Sequence, residues 1–230
     1  ERGAVPTRLI EVLRQAEALW VLSEAQVDPL RALLGADGPR VVAVPFGVDA
    51  DFFSPRSYPS RPRIVSIGND RDRDPQTLFR AFSRVLAARP DTEIVVQTSA
   101  EGAPDGVQVA PRMSHGELRE LYATASVVAT ATRPNLHVSG MTVTLEALAT
   151  GRPVVNTGTP GMSQYVDEGL TGHLVPVGDA DAMADRLIAL LDDPAGAATM
   201  GKQGRRTVET SFTTQVMCAH LATLLLPDVE

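Results

Sequence analysis

The sequence predicts an α/β fold built around a doubly wound, parallel, Rossmann-like sheet. Short apolar runs alternate with longer amphipathic segments along most of the chain, which is typical of successive β-α-β units. Residues 126–155 show the pattern most fully, because an apolar run is followed by a turn of small residues, a helical segment and a second apolar run. In such sheets ligands bind beyond the carboxyl ends of the strands, so a site is expected at the turns there.

The first part of the chain already shows this alternation. We predict a helix over residues 6–17, a strand over 18–22, a helix over 23–34 opened by a capping box at Ser23 and Gln26, and a strand over 41–44. Residues 45–60 contain three prolines and the adjacent rings Phe52 and Phe53. This composition predicts a connector that the two rings hold in place.

A second series of elements begins at Arg63. We predict strands over residues 64–67, 93–97, 107–109, 126–131 and 173–175, and helices over 75–88, 114–124, 162–167 and 179–191. Ser114 and Glu117 form a second capping box at the start of one of these helices. Another helical piece begins at 193–194, and Ser211 is predicted to cap a last helix that reaches Leu226.

The turn in the middle of the chain is the most informative feature. Ser139, Gly140 and Thr142 are small polar residues, and a helix is predicted over 143–149. The amides at such a helix start lack partners and suit a phosphate, and Glu146 could accept hydrogen bonds from sugar hydroxyls. On this stretch alone, an ordinary α/β turn with Glu146 facing solvent is an equally good interpretation.

Composition and charge narrow the possible functions. The chain has 230 residues, of which 43% are hydrophobic, enough for the core of one large or two smaller domains. A net charge of −7 disfavours binding to nucleic acid or to an anionic membrane surface. The single cysteine, Cys218, excludes an intrachain disulfide, and its apolar surroundings predict a buried, inert thiol. No apolar run approaches the ~18 residues of a membrane span.

Four motifs, in the same order, resemble those of the retaining glycosyltransferases of family 4. They are VPFGVDADFFSP over 44–55, SIG over 66–68, LEALATGRPVV over 145–155 and YVDEGLTGHLV over 165–175. The resemblance runs from about Ala18 to the end of the chain. It implies the GT-B fold of two Rossmann-like domains, with this chain carrying the C-terminal domain and a fragment of the N-terminal one.

The resemblance also implies how the chain is divided. Residues 1–45 would be the last β-α-β unit of an N-terminal acceptor-binding domain, 46–61 the linker, 62–210 the nucleotide-sugar donor domain, and 211–230 a helix that packs back toward the N-terminal domain. The chain begins at Glu1 rather than Met, so we expect it to be part of a longer protein. We therefore expect that the chain alone does not transfer sugar.

The activity that the resemblance implies is transfer of a hexosyl group from a nucleotide diphosphate sugar, with retention, in an enzyme of the EC 2.4 type. By position, Glu146 matches the glutamate that binds the donor ribose. Gly140, Met141 and Thr142 match the loop whose amides hold the distal phosphate. Glu146 is thus one of two residues to which a catalytic role is assigned.

The second residue with an assigned catalytic role is Arg73, which lies in the loop GNDRDRD that begins at Gly68. In the family an arginine and a lysine after this glycine clamp the diphosphate. Arg73 best matches the lysine, Asn69 stands where the arginine is usual, and Arg71 is either a substitute or a solvated charge. A basic residue is required nearby, because two phosphate charges need more than helix amides.

The sequence departs from the family pattern at one sugar-binding position. Val138 stands where the family has a glutamate, eight residues before the ribose-binding one, and a valine cannot accept a hydrogen bond. His137 or Ser139 could take over, so the identity of the donor sugar stays open. Arg112 and Met113 match the segment that reads the base.

Three D-x-D matches, at 49–51, 70–72 and 179–181, raise the alternative of a metal-dependent transferase. The first lies in the connector, the second is interleaved with arginines, and the third begins a helix, so we expect no metal and no other cofactor. Two other functional alternatives stay open. One is a non-catalytic module that binds nucleotide, and the other is a nucleotide-sugar epimerase of the same fold.

The expected partners follow from these interpretations. We expect a nucleotide-sugar donor, an acceptor that the sequence does not identify, and no nucleic acid. We expect a cytoplasmic protein without a transmembrane segment. A peripheral membrane contact through the N-terminal domain stays open.

Overall fold

The computed structural model describes residues 5–225 and contains two parallel sheets. The small sheet pairs β1 (Ala18–Val21) with β2 (Arg40–Ala43). The large sheet contains β3 (Arg63–Ile67), β4 (Glu93–Gln97), β5 (Val107–Ala110), β6 (Val127–Thr130), β7 (Val154–Thr157) and β8 (Gly172–Val175). Its order is β5-β4-β3-β6-β7-β8 and all of its pairs are parallel. The predicted fold class is confirmed.

Eight α-helices lie within the described residues. They are α1 (Thr7–Leu13), α2 (Val27–Leu34), α3 (Pro75–Ala88), α4 (His115–Thr124), α5 (Met141–Ala149), α6 (Ala180–Asp192), α7 (Pro194–Ser211) and α8 (Thr214–Leu225). None of the helices in this part of the chain is both long and apolar enough to cross a membrane.

The large sheet is buried on both faces, which makes it doubly wound. Alternate residues of β3 point to opposite sides, so Val65 joins one core cluster and Ile64 the other. The first cluster contains side chains of α4, α5 and α7, and the second contains side chains of α3 and α6. Burial on both faces explains why the strands are short, continuous apolar runs.

The chain order reverses between β3 and β6. From β3 the sheet grows to one side through β4 and β5, and from β6 to the other side through β7 and β8. The loops that follow β3 and β6 therefore diverge and leave a crevice between them, which is the usual ligand position in open α/β sheets. The loop that begins at Gly68 and the turn at Gly140 both lie there.

Local sequence signals at several helix starts are confirmed. Ser114 Oγ accepts a hydrogen bond from the Glu117 amide at 3.3 Å, and the Glu117 carboxylate accepts one from the Ser114 amide at 2.7 Å, so the predicted capping box is present. Pro75 occupies the first turn of α3, where Asp74 is the N-cap. In the connector, Phe53 is buried and its ring packs edge-on against Phe52.

The first predicted capping box is wrong. The Gln26 side chain accepts a hydrogen bond from the Leu22 amide at 2.9 Å, and Ser23 makes no side-chain cap. Residues Glu24–Gln26 form a 3₁₀ turn, so the α-helix begins only at Val27. The glutamine reaches one residue farther back than the box requires, to the end of β1.

Three other local predictions need correction. The helix predicted over 162–167 is a single 3₁₀ turn, Met162–Gln164, and α5 begins at Met141, two residues earlier than expected. Ser211 ends α7 instead of capping the last helix, and Thr213 accepts the hydrogen bond from the Val216 amide at 3.1 Å. Leu226 lies outside the described residues.

Cys218 is exposed rather than buried. None of the described residues of α8 is buried, because this helix lies on the outside of the fold. The apolar run around the cysteine therefore did not indicate a core position.

Candidate functional site

Arg73 lies in the crevice, between the two loops that frame it. A Cβ atom on Gly68 would come within 2.5 Å of its Nη2, and one on Gly140 within 2.8 Å of its Nη1. Both glycines also have positive φ angles, of 119° and 96°. Glycine is therefore required on both sides for the guanidinium to occupy this position.

The guanidinium of Arg73 is buried without enough acceptors. Its Nε and Nη1 atoms are buried and have no hydrogen-bond partner among the described residues. Burial lowers the pKa of Arg73, against the opposing influence of Asp70 and Tyr122. Buried donors are normally satisfied, and arginine donors fit the oxygens of a phosphate or carboxylate. The arrangement indicates an anion site.

The N-terminus of α5 lies next to Arg73. Gly140 is its N-cap and no side chain caps the helix. The Met141 amide donates to the Val138 carbonyl at 3.0 Å, so this predicted phosphate ligand is already used within the turn. The amides of Thr142 and Val143 have no acceptor within the helix, because they belong to its first turn. They add donors and a favourable dipole to the same anion site.

Glu146 is buried and faces the interior, so the interpretation of a solvent-facing glutamate is wrong. Its side chain is 7% exposed, and Tyr122 on α4 donates a hydrogen bond to its Oε2 at 2.8 Å. Burial raises the pKa of Glu146, although the hydrogen bond from Tyr122 acts in the opposite direction. None of the described residues donates to Oε1, which leaves this oxygen for another partner.

Tyr122 is a site residue that the sequence analysis missed. Burial and the neighbouring Glu146 raise the pKa of its phenol, while the charge of Arg73 acts against this rise. Tyr122 therefore lies between the two predicted catalytic residues and orients the glutamate. Its spacing in α4 is that of any core aromatic, so no local signal distinguished it.

A carboxylate that was not predicted connects the two loops. Ser139 Oγ donates to Asp70 Oδ1 at 3.0 Å, and His137 Nε2 lies 3.3 Å from Asp70 Oδ2. Partial burial favours a higher pKa for Asp70, but hydrogen bonds from the Asp72 amide, Ser139 and His137 outweigh it and lower the pKa. Both candidates for the sugar-binding role thus point at Asp70.

Val138 lies between these two residues in a strained conformation. Its φ angle is 54°, which a β-branched residue rarely adopts, and its side chain is buried. A Cβ atom on Gly161 would come within 2.9 Å of Val138 and 2.5 Å of Ser23, which follows β1. Strain of this kind persists where the surroundings fix the backbone, and it is common at functional sites.

The acidic residues of the loop after β3 lie close to His137. One ligand atom each from Asp70, Asp72 and His137 lies within 4.8 Å of the others. The sequence analysis discounted this D-x-D because arginines surround it, but the Arg71 side chain is 83% exposed and Arg73 is turned inward. The expectation that no metal is needed stays a prediction.

The remaining predicted site residues lie around Arg73 and differ in their exposure and contacts. The Asn69 side chain accepts a hydrogen bond from the Ser99 amide at 2.6 Å, so it ties its loop to the one after β4. Arg71 Nε lies 3.6 Å from the carboxylate of the neighbouring Asp72, and the Arg71 side chain is otherwise largely exposed. Arg112 is exposed, and Met113 packs at the edge of the first core cluster, just before α4.

These features define a doubly wound α/β protein with an anion site at the point where its strand order reverses. The family is shown directly by sequence, since the family model of the glycosyl transferases group 1 matches residues 61–193. The chain belongs to this family.

Individual relatives agree with this assignment. D-inositol 3-phosphate glycosyltransferase from Kribbella flavida is 29% identical over 232 residues, which cover 86% of this chain and 54% of the relative. The GDP-mannose-dependent monoacylated alpha-(1-6)-phosphatidylinositol monomannoside mannosyltransferase of Corynebacterium glutamicum is 26% identical, with 92% and 62% covered. The chain spans somewhat more than half the length of these curated relatives.

A solved structure shows the fold. HepE from Anabaena, in complex with UDP and glucose, superimposes with a TM-score of 0.76 at 14% identity, over 97% of this chain and 66% of that one. The likeness shows the GT-B type of α/β fold that the sequence motifs implied.

Proposed function

We propose that this chain carries the donor half of a retaining hexosyltransferase of family 4, which uses a nucleotide diphosphate sugar. The single observation that supports this most strongly is Arg73, which lies between two glycines beside the start of α5. Its buried Nε and Nη1 have no acceptor in the part of the chain that the structure describes. We propose the domain division implied by the sequence motifs, in which residues 62–210 bind the donor.

Each part of the site has a proposed role. Arg73 and the free amides of α5 hold the diphosphate and stabilise the negative charge that develops on it when the sugar leaves. Glu146 accepts hydrogen bonds from the ribose through Oε1, while Tyr122 fixes its Oε2. Arg112 and Met113, just before α4, contact the base.

The sugar is proposed to lie against Asp70. Val138 offers no acceptor, but the strained turn brings Ser139 and His137 onto the Asp70 carboxylate, which is only partly buried. A fixed carboxylate beside the diphosphate site is suited to accept hydrogen bonds from sugar hydroxyls. In this arrangement Ser139 and His137 position Asp70 and set its orientation.

The acceptor is proposed to bind mainly to a preceding domain. The chain spans little more than half of its relatives, and transfer requires both reactants in attack geometry, worth as much as ~7–11 kcal/mol. The chain alone should therefore bind the donor without transferring sugar. The same observation keeps a non-catalytic nucleotide-binding module as the second candidate.

A calorimetric screen tests the proposed function. The chain is titrated with UDP, GDP, ADP and TDP and then with the corresponding nucleotide sugars. We expect one nucleoside diphosphate to bind most tightly, and the nucleotide sugar that binds most tightly should carry the same base. Arg73→Ala should weaken binding of the diphosphates strongly. If no nucleotide binds to a folded chain, or if Arg73→Ala binds as well as the original, the donor site is not here.

A further inference from the structure

A second pocket lies at the opposite end of α5 from the anion site. It has a volume of about 320 Å³ and lies between the connector, the C-terminal end of α5 and α7. Because α5 has nine residues, the two sites are separated by about 13 Å of helix. The five cationic side chains Arg56, Arg152, Lys202, Arg205 and Arg206 line this basic pocket, together with the single carboxylate of Glu209.

Within residues 5–225, the positive charges of the basic pocket are not balanced by acidic side chains. Glu209 is engaged by Arg205 at 2.7 Å, and Arg56 lies 4.0 Å from the exposed Glu120. Among the described residues, Arg152, Lys202 and Arg206 have no acidic partner at all. This excess of positive charge occurs in a chain whose net charge is −7, so it is not a property of the surface in general.

The burial of Arg152 makes the excess of positive charge energetically unfavourable. Its side chain is 1% exposed, and its Nε and Nη2 donate to the backbone carbonyls of Tyr122, Ala123, Arg56 and Ser57 at 2.8–3.3 Å. These carbonyls satisfy Nε and Nη2 but do not neutralise the charge of the guanidinium. A buried cation without a counter-ion favours an anion nearby, since its field is poorly screened.

The exposed rim supplies groups that can bind such an anion. Lys202 and Arg206 lie on α7, four residues apart and therefore on the same face of the helix, and both are exposed. Ammonium and guanidinium groups together suit a phosphoryl group. Pro55 and Tyr58 add an apolar wall. The volume lies at the lower end of the range for small-molecule sites.

We propose that the basic pocket binds the phosphate monoester of a small, sugar-sized molecule, at a site separate from the donor site. Lys202 and Arg206 contact the phosphate, while Arg152 contributes its buried charge. The ligand would touch the connector, α5 and α7 at once, so its binding should stiffen the joint between them. The inference does not depend on the proposed transferase activity.

Thermal unfolding and calorimetry with glucose 6-phosphate as the probe test this proposal. The Arg73→Ala chain is used at constant ionic strength, so that anion binding at the donor site is already weakened. We expect saturable binding and a rise in the unfolding temperature. The double substitution Lys202→Glu with Arg206→Glu should weaken binding at least tenfold. The exposed pair Arg8→Glu with Arg61→Glu, which changes the charge equally, should leave it unchanged.

Other outcomes would overturn the proposal. Absence of saturable binding by folded Arg73→Ala would do so, as would equal weakening by the two charge-reversal pairs. If the Lys202 and Arg206 pair fails to fold, the corresponding alanine pair replaces it, with the same expectation. Binding to vesicles that contain phosphatidic acid, without binding to glucose 6-phosphate, would assign the surface to a membrane and reject the small molecule.

Discussion

Arg73 and Arg152 are both buried arginines, and they differ in how their donors are used. Arg152 donates to four backbone carbonyls, two in the connector and two at the end of α4. It therefore links the connector to α4. Arg73 has two buried nitrogens with no acceptor within the described residues. A guanidinium whose hydrogen bonds go to backbone carbonyls holds the fold together, whereas one whose buried donors lack an acceptor indicates a ligand that contacts those donors directly.

The largest effect should follow from removing the structural arginine. Arg152→Ala removes the side-chain donor from four carbonyls, of which that of Tyr122 keeps the Ala125 amide, and it opens a cavity. The free energy of unfolding should therefore fall by about 4 kcal/mol. Chemical denaturation measures this change, with Arg61→Ala as an exposed control that should stay within about 0.5 kcal/mol. If the two variants are equally stable, the carbonyl contacts do not hold the connector.

Glu146 tests whether a carboxylate with one oxygen left without a donor by the described residues binds the nucleotide. Glu146→Ala should weaken nucleotide diphosphate binding by about 2–4 kcal/mol in calorimetry, because a charged acceptor is lost. An unchanged affinity in a folded variant would place the ribose elsewhere.

The pH dependence of the same residue gives a second measurement. A carboxyl whose pKa is raised on folding contributes stability below its unfolded pKa and loses it as pH rises through the folded pKa. Glu146→Gln should therefore have a higher unfolding temperature than the original at neutral pH, with the difference shrinking in acid. A difference that grows in acid would contradict the assigned direction.

Arg73 provides the direct counterpart of Arg152. Arg73→Ala should weaken diphosphate binding by about 2–3 kcal/mol and leave nucleoside binding unchanged. Its free energy of unfolding should change by less than about 1 kcal/mol, because Nε and Nη1 make no hydrogen bond to residues 5–225 that could be lost. Arg71→Ala is the matched control and should do little to either quantity. A strongly destabilised Arg73→Ala would make both arginines structural.

Local and distant interactions explain how well the sequence predicted these regions. The α3 bounds and the Ser114 capping box depend on residues within one turn, so the pattern was sufficient. Arg73 was found only through resemblance to a family, whereas the turn before α5 already indicated Glu146 as an acceptor and the resemblance added its ribose-binding role. Tyr122 and Asp70 act through partners 24 and 69 positions away along the chain, and no spacing rule reports such contacts.

A smaller effect is expected at Asp70. Asp70→Asn should weaken binding of the sugar nucleotide by about 1 kcal/mol relative to the free nucleotide, since one acceptor to the sugar is lost. Comparing the two ligands in the same calorimeter separates this from damage to the diphosphate site. Equal weakening of both ligands would show that Asp70 supports Arg73 instead.

No effect is expected from chelation. EDTA should leave nucleotide binding unchanged, because Arg73 and helix amides supply the positive charge. A clear loss of affinity, restored by magnesium or manganese, would assign a cation to Asp70, Asp72 and His137.

The strained Val138 has a mechanical consequence. Its side chain lies close to Gly161, and so does Ser23, which belongs to the segment that leads from β1 to α2. A rigid rotation of the small sheet would therefore press on a residue that is already far from its relaxed backbone angles. The next residue is Ser139, which donates a hydrogen bond to the Asp70 carboxylate, so the displacement would reach that carboxylate. A displacement of the small sheet would thus be transmitted through Gly161 and Val138 to the carboxylate beside the proposed sugar.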